Sequence, residues 1–240
     1  MPRKKYTHLF FDLDNTLWDF KANSKLAMLS TFNLLLLGEK GVDFERFFDL
    51  YSKNNSDLWG AYRKKEIRKK DLTTQRFKLT LDKLEIDGID PEEMNTLYLS
   101  EMPKQNKLVD GAIDLLEYLK NKNYRLFIIT NGFSEVQHNK LKSSKLLPYF
   151  SKIFISEEIK APKPAPEIFE YAIKSANARK STSLMIGDDL EVDVLGALRA
   201  GIDAIHFRGA EVPPVEINKN NRLILSYLEI IELQDLKAVL

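Results

Sequence analysis

From Gly111 onward the sequence alternates short apolar runs with amphipathic helical patterns, and this alternation limits the fold more than any other feature. Leu126 to Ile129, Ile153 to Ile155, Leu184 to Ile186 and Ala204 to Phe207 are rich in β-branched and aromatic residues and read as buried strands. Between them, Ile113, Leu115, Leu116 and Leu119, then Ile168, Phe169, Ala172 and Ile173, recur at helical spacing. Strands joined through helices pair in parallel, so the pattern predicts an α/β core with a doubly wound parallel sheet. His8 to Phe11 supplies a fifth strand near the start. Ligands of such sheets bind beyond the carboxyl ends of the strands.

Between the first two strands lies a long insert with helical patterns and almost no strand pattern. Helices are expected over Ser24 to Leu37, Asp43 to Tyr62, Asp71 to Leu84 and Pro91 to Glu101, broken at Gly38, Gly41, Gly88 and Pro103. The division is therefore an α/β core from 1–16 and 108–240 and a helical domain over 17–107. The tail from Asn218 is expected to add a short strand near Leu223 to Leu225 and a helix ending at Leu240. No internal repeat and no low-complexity tract is visible.

Composition narrows the function classes. Thirty-six Lys and Arg against 35 Asp and Glu leave a net charge of +1, so no broad field attracts nucleic acid or an anionic membrane. An anionic ligand has to be held locally. With no cysteine, disulfides, thiolate zinc sites and cysteine nucleophiles are excluded together, in keeping with a reducing cytoplasm. The basic start at Pro2 to Lys5 leads into an apolar stretch broken at once by Asp12 and Asp14, so no export segment is expected. No run reaches the roughly 18 apolar residues of a membrane helix.

The polar motifs of the core fall just after predicted strands or at helix starts. Asp12-Leu13-Asp14-Asn15-Thr16 follows the first strand, and an extended backbone puts Asp12 and Asp14 on one side with Leu13 on the other. By itself this could be a turn and helix cap. Thr130-Asn131-Gly132 follows the second strand and offers a hydroxyl and backbone amides to phosphate oxygens, although a turn needing Asn and Gly is the commoner use of those residues. Lys163-Pro164-Ala165-Pro166 opens a helix, with a lysine just ahead of prolines suited to a first turn. Gly187-Asp188-Asp189 follows the fourth strand, with Asp193 one turn on. Oxygen-only ligands of this kind suit a hard ion such as magnesium, while Asp189 also fits a helix cap.

In order and placement these motifs resemble those of the haloacid dehalogenase superfamily, and the insert falls where that family carries a helical cap. The resemblance spans Tyr6 to Leu17 and Val109 to Arg208. Leu17-Trp18-Asp19-Phe20, Leu58-Trp59 through Leu72, and Arg76-Phe77 further resemble the noncanonical pyrimidine 5′-nucleotidases of that superfamily, although such positions also serve as helix core. The basic run Arg63 to Lys70 reads as a solvated helix end.

The resemblance implies a magnesium-dependent phosphatase. Asp12 would be the nucleophile that forms an aspartyl phosphate, and Asp14 the acid and then the base. Thr130, Asn131 and Lys163 would hold the phosphate. Magnesium would sit on the Asp12 and Asp188 carboxylates and the Asp14 backbone carbonyl, with Asp189 and Asp193 supporting from behind. Two unit charges 4 Å apart cost about 4 kcal/mol at an effective dielectric of 20, so a phosphate dianion approaching Asp12 requires such cations. The implied partner is a small phosphorylated metabolite, with a nucleoside monophosphate ahead of a sugar phosphate. Trp18, Phe20, Trp59 and Tyr62 are aromatic residues able to stack on a base. A sugar-phosphate phosphatase or phosphomutase of the same superfamily is the alternative. A catalytically silent binding protein would most simply have lost Asp12, Asp14, Lys163 or Asp188, and all four are present.

Overall fold

The strand β1 (His8–Phe11) is a short apolar run buried on both sides, as a central parallel strand must be. In this computed structural model, which describes residues 5–209 and 227–240, it is hydrogen-bonded to parallel strands on either side. These are β2 (Arg125–Thr130) and β4 (Ser183–Gly187); β3 (Lys152–Ile155), β5 (Asp203–Phe207) and β6 (Leu228–Ile230) complete the sheet. The order is β3-β2-β1-β4-β5-β6, all parallel, which is the doubly wound arrangement. The five expected strands are present to within one residue at each end. The expected strand at Leu223 to Leu225 lies outside the described residues; the sixth strand is a few residues later.

One face of the sheet, with Phe10, Phe127, Ile129 and Met185, packs on Ile168, Phe169, Ala172 and Ile173 of a helix over Pro166–Ser175 and on Val194 and Ala197. The alternate residues Leu9, Phe11, Leu126, Ile128, Leu184 and Ile186 are buried on the other face, as the two-residue period of a strand requires. At β1 the strand order reverses, with β2 on one side and β4 on the other. Residues 12–14, 130–132 and 187–189 leave the sheet there at neighbouring carboxyl ends.

The chain divides into two compact units, Met1–Phe20 with Lys107–Leu240, and Lys21–Asn106. The second is all helical among the described residues. In chain order its helices are α1 (Phe20–Leu34, entering from the first unit), α2 (Phe44–Arg63), α3 (Lys69–Lys83) and α4 (Pro91–Glu101). The first ends earlier than expected because Leu36 takes a left-handed conformation and Leu37 donates its amide back to the Phe32 carbonyl, burying Leu37 beneath the closed turn. The third begins two residues before Asp71, since the Asp71 carboxylate folds back to accept the Arg68 backbone amide. Arg68 also pairs with Asp71 through its side chain, and Lys64 to Glu66 form the exposed link between α2 and α3.

Phe32, Phe47, Tyr51, Phe77 and Tyr98 form an aromatic core in this unit. Within it Arg76 is only 3% exposed, donates to Asn55 and Asn95, and lies over the Phe77 and Tyr98 rings. Two amide acceptors and ring faces thus solvate the guanidinium in place of water. Phe77→Ala should lower stability by about 3–5 kcal/mol, the usual cost of removing a buried phenylalanine. A denaturant midpoint is the readout, and a loss below about 1 kcal/mol would contradict this packing.

Candidate active site

Lys163 is the centre of the strand-end cluster. Only 1% exposed, its ammonium donates to Asp12 Oδ1 at 2.5 Å, to Asp193 Oδ1 at 2.6 Å and to the Ile129 carbonyl at 2.7 Å. These three bonds use its three protons. Burial by itself lowers a lysine, yet the Asp12 and Asp193 carboxylates overcome it and hold Lys163 well above the ordinary value. Asn131 brings this segment to the end of β2. Its side-chain oxygen accepts from the Lys163 amide at 2.8 Å and its nitrogen donates to the Lys163 carbonyl at 2.9 Å. With its side chain committed in this way, what Asn131 can offer a ligand is its backbone.

Asp12 leaves β1 still in the ladder, its amide donating to the Ile186 carbonyl at 2.9 Å. Asp188 follows β4, and Thr16 donates to its Oδ1 at 3.3 Å. Asp189 caps the π-helical turn Leu190–Leu195, accepting from the Glu191 and Val192 amides, while its own amide donates to Asp193 Oδ2 at 3.1 Å. Both Asp193 oxygens therefore already hold protein donors. Gly187 permits this, because a Cβ there would lie 2.3 Å from Asp193 Oδ2.

Carboxylate oxygens of Asp12, Asp188 and Asp193 lie within 4.8 Å of one another. Burial, with the repulsion of Asp193 and Asp14, pushes Asp12 up to about 7 against the pull of Lys163. Burial and the Asp12 and Asp193 charges hold Asp188 well above the usual carboxylate range, and burial raises Asp193 as well. An oxygen-only cluster whose charged form is penalised in this way fits a hard divalent cation. Asp12 and Asp188 are better placed to bind it than Asp193, whose oxygens are occupied.

Asp14 is half-buried. Its Oδ1 accepts from Lys140 at 2.7 Å and its Oδ2 from Gln137 at 2.8 Å. The same Gln137 nitrogen donates to Thr130 Oγ1 at 2.7 Å, and the Gly132 amide reaches that hydroxyl at 3.3 Å, so the Thr130 proton is left for a ligand. Gln137 and Lys140 were not among the candidates from sequence. They sit three residues apart on one face of α6 (Ser134–Ser143; α5 is Ala112–Asn121), and two polar residues on the buried stripe of a helix after Thr130 were the available signal. Trp18 is fully buried beneath the Lys140 ammonium, 4.3 Å from the ring centre, so it is not open to stack on a base. In the helical unit Trp59 and Tyr62 are half-buried and pack edge to face on each other.

Residues 6–201 match the family of haloacid dehalogenase-like hydrolases. The chain belongs to that family. Among similar proteins, a pyrimidine 5′-nucleotidase of Streptococcus pneumoniae, PynA, is 36% identical over 84% of each chain. A pyrimidine 5′-nucleotidase of Escherichia coli, YjjG, is 33% identical over 82% of this chain and 84% of its own. The crystal structure of YfnB from Bacillus subtilis, bound to magnesium, superposes with a TM-score of 0.84 at 28% identity over 98% of this chain and 99% of that one. A haloacid dehalogenase-like hydrolase thus carries Asp12, Asp14, Thr130, Asp188 and Asp193 at the carboxyl ends of β1, β2 and β4 or in the segments that follow them, and Lys163 in the segment that follows β3. No helix among the described residues is long and apolar enough to cross a membrane.

The raised carboxylates carry a stability cost without metal. Up to about pH 7 the folded chain keeps on Asp12 a proton that the unfolded chain releases near pH 4, and Asp188 and Asp193 are displaced in the same direction, so the contribution of these groups to stability falls as pH rises above about 4. Asp188→Asn removes one of the repelling charges and keeps an acceptor for Thr16. In chelator at pH 7 it should melt a few degrees above the parent, as about 1 kcal/mol moves Tm by roughly 2–4 °C at this size. A lower Tm would show that the Asp188 charge is compensated in the metal-free protein.

Proposed function

We propose that this hydrolase is a phosphoric monoester hydrolase acting through an aspartyl phosphate on Asp12, with nucleoside 5′-monophosphates as its substrates. The observation that carries the reading is the pair of carboxylates two residues apart, one bonded to the buried Lys163 and the other to the helix behind Thr130. Asp12, at the strand end, is the nucleophile. Asp14 is the second acid that protonates a leaving alkoxide, a group that departs poorly without a proton.

In the proposed reaction Asp12 attacks phosphorus as the ester P–O bond breaks, and the proton on Asp14 passes to the departing oxygen. Asp14 then takes a proton from the water that hydrolyses the acyl phosphate, returning inorganic phosphate and Asp12. The Thr130 hydroxyl, the Asn131 backbone and the Lys163 ammonium hold the phosphoryl oxygens. Lys163 has to release one of its three present partners to do so. Asp193 and the Asp189 amide keep the ammonium aimed at the strand end while this happens. Magnesium, held by the Asp12 and Asp188 carboxylates and the Asp14 carbonyl, would supply the positive charge that lets a phosphate dianion approach this acidic cluster.

Asp12→Asn should lower kcat by at least about 10³-fold with the fold unchanged by circular dichroism, as for other nucleophile replacements. Retention of more than about a tenth of the rate would rule out the covalent route. The substrate class draws support from PynA and YjjG, both named pyrimidine 5′-nucleotidases. Uridine and thymidine 5′-monophosphates should exceed glucose 6-phosphate in kcat/KM by about tenfold or more, the scale of one base-stacking contact. A hexose phosphate as best substrate would overturn the nucleotide assignment and leave the Asp12 chemistry standing.

A further inference from the structure

We infer that Lys140 and Gln137 are positioning residues that aim the Asp14 carboxylate at the leaving-group oxygen. Both are almost completely buried, Lys140 at 2% and Gln137 at 0%, so neither is an incidental surface contact. Each takes one oxygen of the same carboxylate, Lys140 at 2.7 Å and Gln137 at 2.8 Å, and two bonds on two oxygens fix both the plane and the direction of the group. The Gln137 amide also ties Asp14 to Thr130, at 2.7 Å from the hydroxyl. One carboxamide nitrogen thus registers the residue that carries the proton against the hydroxyl proposed to hold the phosphate.

Two further features bear the marks of this arrangement. Gln137 Oε1 is buried with no hydrogen-bond partner among the described residues, yet turning the amide over would point that oxygen at the Asp14 carboxylate. The orientation that serves Asp14 is kept although it leaves an acceptor unsatisfied. Gly132 provides the room, since a Cβ there would lie within 2.4 Å of two Gln137 side-chain atoms. The Lys140 ammonium has ring faces for its remaining surroundings, 4.3 Å from the Trp18 centroid and 5.2 Å from that of Phe20, which hold it in place without competing for its bond to Asp14.

The inference rests on the reading of Asp14 as the acid. When the Asp12–phosphorus bond forms and the ester P–O bond breaks, the Asp14 proton must lie on the line of the departing oxygen. Phenyl phosphate releases a basic phenoxide that needs the proton; 4-nitrophenyl phosphate releases a far weaker base that needs it less. Because kcat/KM covers only steps up to the first irreversible one, it isolates this departure from the later hydrolysis. Lys140→Met should lose at least about tenfold more kcat/KM on phenyl than on 4-nitrophenyl phosphate, within the range of a misdirected general acid. Asp14→Asn should show the same discrimination. In the Asp14→Asn background Lys140→Met should add less than about threefold, as expected when one residue acts through the other. Lys140→Arg, which keeps a charged donor, should restore phenyl phosphate turnover to within about tenfold of the parent.

Equal losses on both esters for Lys140→Met, beside discrimination by Asp14→Asn, would overturn the positioning role and spare the acid. Equal losses for Asp14→Asn would show that the acid reading itself is wrong. Should Lys140→Met fail to fold by circular dichroism, Gln137→Met removes the other donor and carries the same comparison of the two esters.

Discussion

The arrangement of the strand ends depends on one buried ammonium. Lys163 bonds Asp12 after β1, the Ile129 carbonyl within β2 and Asp193 beyond β4, and so links three neighbouring strands. A lysine removed from water is tolerable only where charge-assisted bonds replace its hydration, and three acceptors do so here. Asn131 clamps the main chain that delivers Lys163, and Gly187 allows Asp193 to approach, so the surrounding sequence serves the same contact. In a parallel sheet with its order reversing at β1, this is the point at which separate segments can meet.

Around that ammonium the charges do not balance. Asp12, Asp14, Asp188 and Asp193 stand against Lys163 and Lys140, an excess of two negative charges in a largely buried cluster. Such an excess is costly in a low-dielectric site, and the upward displacement of Asp12, Asp188 and Asp193 expresses that cost. A divalent cation would cancel the excess. The two lysines have different duties: Lys163 spans the nucleophile and Asp193, while Lys140 is reserved for Asp14. They separate two acids whose proposed tasks differ.

Much of this was legible in the linear sequence. Strand positions were readable because a strand buried on both faces has to be apolar throughout, which leaves a compact signal such as His8 to Phe11. Asp12, Asp14, Thr130 and Asp188 stood out since each polar residue ends or follows such a run, and Lys163 because it stands just ahead of the prolines of a helix start. The helix boundaries in the insert were less readable. Asp71 has the identity of a cap but acts from the third position, and a leucine in left-handed backbone closes the first helix where glycine is the usual signal. Arg76 as a buried cation was invisible, because nothing local says that two asparagines and two rings surround it.

What the sequence by itself determined is the alternation of elements and the chemical identity of the groups placed at their ends. Periodicity and residue type are local properties, and they are sufficient for both. Only the tertiary structure decided which groups share a bond. Gln137 and Lys140 lie 123 and 126 residues from Asp14, and Lys163 lies 151 from Asp12, so these contacts exist only once the sheet has brought the ends of β1 and β2 side by side. On the apolar stripe of a helix, a glutamine and a lysine signal burial but not the partner that makes it tolerable. The carboxylate then becomes the partner that repays their desolvation.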